Sequence, residues 1–91
     1  MVRFPDDRDR AETAATDFLV TDLDLALTFM DIAETTNIEE TAHRNREKAR
    51  RAYTTVKDFL SRPALKQVDR GSIETRLARL KARLDAVGYG P

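Results

Sequence analysis

The chain contains no cysteine. It can therefore form no disulfide, no thiolate nucleophile and no thiolate zinc site. Glycine and proline are scarce, three of each, too few for an all-β chain that must turn at the end of every short strand. The only serines are Ser61 and Ser72. Both stand at expected helix starts, where capping accounts for them, and no Ser–His–acid arrangement suggests itself. Glycine-rich phosphate loops are missing. Long apolar runs are missing as well: the most apolar stretch, FLVTDLDLALTFM (18–30), carries Asp22 and Asp24 and falls short of the ~20 apolar residues that a membrane helix needs. The opening segment MVRFPDDRDR has no apolar core of a secretory signal, so a cytoplasmic, membrane-free protein is expected. No enzyme activity and no cofactor are expected.

Charge is what the chain has in abundance. Asp, Glu, Lys and Arg make up 35% of its 91 residues, with 16 of each sign and a formal net charge of zero. The typical share is ~25%. The charges are not mixed evenly: residues 1–45 hold 4 Lys/Arg against 11 Asp/Glu, and residues 46–91 hold 12 against 5. This length supports one modest core and a single domain over 1–91.

Three amphipathic segments follow from the apolar spacing. Thr21 has the place of an N-cap, with Asp24 at N3 and Val20 and Leu25 at hydrophobic-staple positions. Leu23, Ala26, Met30 and Ala33, with the adjacent row Leu25, Phe29 and Ile32, then predict a core-facing helix over 22–35. Residues 7–19 are expected to form a short N-terminal helix, or to continue the first as one helix from 7 to 35. Asn37 as N-cap, with Glu40 three residues on, predicts a second helix over 38–61. Its expected seam is Ala42, Asn45, Ala49, Ala52, Val56 and Phe59, flanked by Ile38, Tyr53 and Leu60. Ser61 and Pro63 open a third helix over 64–87, with Ser72 placed to re-cap after a bend at Gly71. Ile73, Leu77, Leu80, Leu84 and Val87 form its seam, and Gly88 is its left-handed terminator. Residues 1–6 and 88–91 are expected to be disordered tails. Short links force the three faces together as an all-α, antiparallel up-down bundle.

Candidate chemistry is sparse. Glu40 and His43 have the Glu-x-x-His spacing of di-iron bundles, but such sites need a second motif and inward ligands. His43 falls on the flank of the seam, so a metal-binding bundle stands only as a second alternative. The basic run HRNREKARRAY (43–53) spreads its charge around the helix. Arg44, Lys48, Arg50, Arg51, Arg76 and Arg83 are the candidate partner-binding residues. They fit a protein partner, a second copy, or a nucleic acid read by helices two and three. The near-neutral pI of 6.6 and the absence of a helix-turn-helix or RNA-binding aromatic motif favour protein over nucleic acid. Asn45 within the seam is expected either to fix register or to sit near the rim of the bundle.

The stretch LALTFMDIAETTNIEETAHRNREKARRAY resembles the helical hairpins of tetratricopeptide repeats and of microtubule-interacting-and-trafficking domains. Ala26, Ala33, the NIEE turn at 37–40, the Ala49 and Tyr53 pair and Pro63 carry the likeness, in outline over residues 22–87. The second helix is about two turns longer than a tetratricopeptide unit has. Both families are peptide-binding adaptors, so the resemblance implies a role in protein interaction. It assigns no binding residues.

Overall fold

A computed structural model describes residues 7–62 and 69–90, with side chains from residue 14 onwards. Three helices pack against one another: α1 (Asp7–Thr35), α2 (Glu39–Leu60) and α3 (Arg70–Ala86). The all-α, three-helix architecture is as the apolar spacing predicts. Residues 1–6 and most of the stretch expected to open the third helix lie outside the described residues.

The first helix is continuous for 29 residues, so there is no separate helix over 7–19 and Thr21 is not a cap. No glycine or proline falls within it. Leu19, Leu23, Ala26, Met30 and Ala33, all buried, form one stripe at steps of four and three that runs through the expected boundary. Burying that stripe without interruption outweighs a local cap worth ~1 kcal/mol.

Helix α2 starts after Ile38, whose carbonyl accepts the first helical bond, from the Ala42 amide (3.0 Å). Asn37 stands one residue too early to cap it, and Ile38 itself makes no side-chain cap bond. Instead the Thr36 hydroxyl receives the Ile38 amide (3.2 Å). The buried face of α2 is Ala42, Asn45, Ala49, Tyr53, Val56 and Leu60. It is rotated slightly from the expected seam: Tyr53 and Leu60 take the interior, while Ala52 and Phe59 are only partly buried. Tyr53 removes more apolar area from water than Ala52 would, and the larger Phe59 lies beside the interior with the Arg62 guanidinium over its ring. Asn45 is buried and donates from Nδ2 to the Thr41 carbonyl (2.8 Å).

Ser61 is a C-terminal residue of α2, and its hydroxyl donates to the Asp58 carbonyl (2.6 Å). The cap of α3 is Asp69, not Ser72. Its carboxylate accepts from the Ser72 amide (3.2 Å) and from the Ser72 hydroxyl (2.8 Å). Gly71 thus lies in the first turn of α3 and bends no longer helix there. Ile73, Leu77, Leu80 and Leu84 are buried, as their spacing predicts.

At its far end α3 closes with a Schellman turn. The Tyr89 amide donates to the Leu84 carbonyl (2.9 Å) and the Gly88 amide to the Asp85 carbonyl (3.2 Å), with Gly88 at φ +79°. Residues 88–90 are therefore not a free tail: the turn carries Tyr89 back onto the bundle, where it is half-buried against the core.

Candidate functional site

The six cations singled out above do not share one surface. Arg76 and Arg83 face α1 and are engaged there. Arg76 Nε donates to Asp24 (3.0 Å). The Arg83 guanidinium reaches Asp31 (2.9 Å), Glu34 (2.8 Å) and the Leu27 carbonyl (3.3 Å). These contacts realise, between α1 and α3, the pairing that the opposed charges of the two halves suggest. The Glu34 and Asp31 carboxylates also raise the Arg83 pKa further above its already high ordinary value.

Helix α2 behaves differently. Its ion pairs with described residues are all local: Arg44 with Glu40 (3.3 Å), Arg50 with Glu47 (3.8 Å) and Asp58 with Arg62 just beyond its end (3.2 Å). Lys48 and Arg51 make none with a described residue. Arg44, Lys48 and Arg51 recur at steps of four and three along the side of α2 away from its buried face. Arg50 and Arg51 both line a shallow depression with Glu47, Thr54 and Thr55, on the outer side of α2. The Arg62 guanidinium lies 4.7 Å from the ring centroid of Phe59, at the C-terminal end of α2 itself. Lys48 Nζ lies 5.3 Å from the Phe29 ring centroid, so Lys48 borders α1.

Next to it, α1 presents an apolar stripe to solvent. Phe18 is 61% exposed, Leu25 48% and Ile32 41%. Leu25 and Ile32 were expected in the core. They lie instead about 100° around the helix from the buried stripe, beyond the reach of α2 and α3. Phe29, partly buried, completes the row on the α2 side. Asp22 lies in the same row, and partial burial holds its carboxyl above the ordinary carboxylate range.

A repeat in the sequence marks this surface. DFLVTDL (17–23), DLALTFM (24–30) and DIAETTN (31–37) align as three consecutive heptads. In each, an aspartate is followed by a large apolar residue (Phe18, Leu25, Ile32), then a buried one (Leu19, Ala26, Ala33), and a threonine two residues later (Thr21, Thr28, Thr35). Phe18, Asp22, Leu25, Phe29 and Ile32 alternate at steps of four and three, the a and d spacing of a coiled coil. Core spacing and coiled-coil spacing overlap in this helix, so the exposed row reads at first as part of a broad core face.

His43 of α2 meets the turn that follows α3. Its Nδ1 is in hydrogen-bond contact with the Tyr89 hydroxyl, and Glu40 is occupied by Arg44. Among the described residues no three His, Asp or Glu side chains gather where a metal ion could sit. Tyr89 also lies under the Arg46 guanidinium, 5.6 Å from ring centroid to Cζ. Sequence spacing gave no hint of this cluster, because a terminal tyrosine beyond a glycine reads as a tail. No described helix is long and apolar enough to cross a membrane. No family model, no curated protein and no solved structure matches this chain.

Proposed function

We propose that the chain is a small, non-enzymatic interaction module, and that α1, with Lys48 of α2 at its rim, forms its docking surface for a helical protein partner. The observation that carries this reading is the exposed row Phe18, Leu25 and Ile32. Isolated exposed apolar residues are ordinary. Three at heptad spacing, continued by Phe29 and rimmed by Lys48, form a continuous strip suited to the apolar face of another helix. What supports the non-enzymatic part is how the reactive side chains are spent. The Ser61 and Ser72 hydroxyls serve helix ends, and His43 serves Tyr89.

The test is affinity capture from the native lysate with the wild-type chain and with Leu25→Glu, at low and high salt and with nuclease present. A protein retained by the wild type through high salt and lost with Leu25→Glu is the expected result. A captured untagged copy of the chain counts as such a partner. Equal capture by both baits, or capture abolished by nuclease, overturns the reading in favour of another surface or of nucleic acid.

A further inference from the structure

The docking surface just described is suited to a second copy of the same chain. We infer that two copies associate through α1, side by side and parallel, about a two-fold axis that runs along the helix. This deepens the interaction reading and rests on it. Three observations point to this occupant.

The first is the period. Two helices that keep a strict seven-residue apolar repeat stay in register by winding gently around each other. The bundle core of α1 is taken from Leu19, Leu23, Ala26, Met30 and Ala33. The row through Phe18, Asp22, Leu25, Phe29 and Ile32 is a second seam on the same helix, without a partner helix among the described residues. From Phe18 to Ile32 it extends ~21 Å.

The second is the arrangement of charge around that seam. On one side it meets α2, with Lys48 at the edge and level with Phe29. On the other side it is bordered first by Thr21, Thr28 and Thr35 and then by the aspartates of the same heptads, Asp17, Asp24 and Asp31. An axis along α1 turns the basic edge of one copy towards the acidic border of the other. Both contacts are made twice, as a symmetric interface requires. An axis across α1, which would make the helices antiparallel, sets basic edge against basic edge instead. Asp24 and Asp31 already meet Arg76 and Arg83, but their side chains are still 56% and 67% exposed, so each has room for a second cation.

The third is the threonine border. Thr28 and Thr35 turn their hydroxyls inward, donating to the carbonyls of Asp24 (3.1 Å) and Asp31 (3.0 Å) four residues back. Their hydrogen-bonding needs are met within α1. What remains outward is small and largely methyl, which lets the α2 of a second copy approach closely.

The absence of cysteine makes a direct experiment available. Phe18→Cys, Leu25→Cys and Ile32→Cys, made singly in the full chain, each place one thiol on the seam, and Thr54→Cys serves as a control on the outer face of α2. Across a parallel interface each seam residue meets its own counterpart, within the short Cβ separation that a disulfide requires. The expected result is rapid covalent dimer formation by all three seam variants and not by the control. Alongside, light scattering on the wild type at about 100 µM is expected to give a dimer, and Leu25→Glu to weaken it by at least about a hundredfold with its helix content retained. Cross-linking of a mixture of Phe18→Cys with Ile32→Cys, but of neither alone, would show an antiparallel pair and overturn the proposal. A monomeric wild type whose seam variants cross-link no faster than the control overturns it too. If such a monomer still retains a partner that Leu25→Glu loses, the docking surface stands and only the second copy falls. A dimer indifferent to Leu25→Glu sinks both.

Discussion

Asp22 shows how one side chain can work against its surroundings. It sits among apolar neighbours on α1, and partial burial raises its carboxyl pKa above 3.8. The folded chain therefore binds this proton more readily than the unfolded chain does. The ionised form costs stability at neutral pH, and the cost fades as pH falls through the raised value and is gone below about 3.8. Asp22→Asn is expected to raise the thermal midpoint at pH 7, with the gain disappearing in acid. Thermal unfolding followed by circular dichroism at both pH values checks this. The same substitution removes two carboxylates that face each other across the proposed axis, so it is also expected to tighten the dimer. Deep in the bundle the arithmetic is simpler. Leu80 is fully buried, and Leu80→Ala is expected to cost about 2–5 kcal/mol, read from denaturant titration.

The ends of α3 show what holds an element. The Ser72 amide and hydroxyl hold the Asp69 carboxyl below the ordinary carboxylate range. A lowered folded pKa means stability that is present above the unfolded value near 3.8 and is lost as pH falls through the folded one. Asp69→Ala is expected to remove that acid-sensitive component and to speed amide exchange over the first turn of α3, with Asp69→Asn keeping most of the protection. At the other end, Gly88→Ala places a Cβ in open space, for nothing lies within 4 Å of it. The cost is therefore only that of the left-handed backbone at φ +79°, about 1 kcal/mol, a shift of several degrees in Tm.

Elements also decide how much of this protein could be read in advance. The seam of α3 was legible, because Ile73, Leu77, Leu80 and Leu84 sit in a helix with charged residues on its other sides. So was the buried stripe of α1. The continuity of α1 was not, since Thr21 followed by Asp24 has the chemistry of a cap and only tertiary burial overrides it. Asp69 and Ser72 both have capping side chains, and local sequence does not say which of the two opens α3. Leu25 and Ile32 could not be told from core residues, since spacing gives the angle between two rows and not which row meets a neighbour.

At the scale of the whole molecule, the opposed charges of the two halves are only partly used. Arg76 and Arg83 tie α3 to the acids of α1, while the described ion pairs of α2 are local. Pairs this exposed contribute little each and are screened by salt. The fold is expected to tolerate 0.5 M salt with only a few degrees lost in Tm, whereas pairing of two copies responds more strongly, because Lys48 makes no ion pair with a described residue of its own chain.

The three heptads of α1 have a further consequence, which concerns assembly rather than affinity. A helix that repeats every seven residues can meet its twin in more than one alignment. Sliding one copy by a heptad, ~10.5 Å, brings Leu25 onto Phe18 and Ile32 onto Leu25, with the threonine borders matched again. The slipped pair leaves one repeat uncovered at each end, and an uncovered repeat can recruit another chain. The in-register pair is closed, and the staggered one is the first step of a filament. What separates them are the positions where the repeats differ: in register Phe29 meets Phe29, and on slipping it meets Asp22. Phe29 against Phe29 thus favours the closed pair and Asp22 against Asp22 opposes it, so Asp22→Asn shifts the balance between the two alignments.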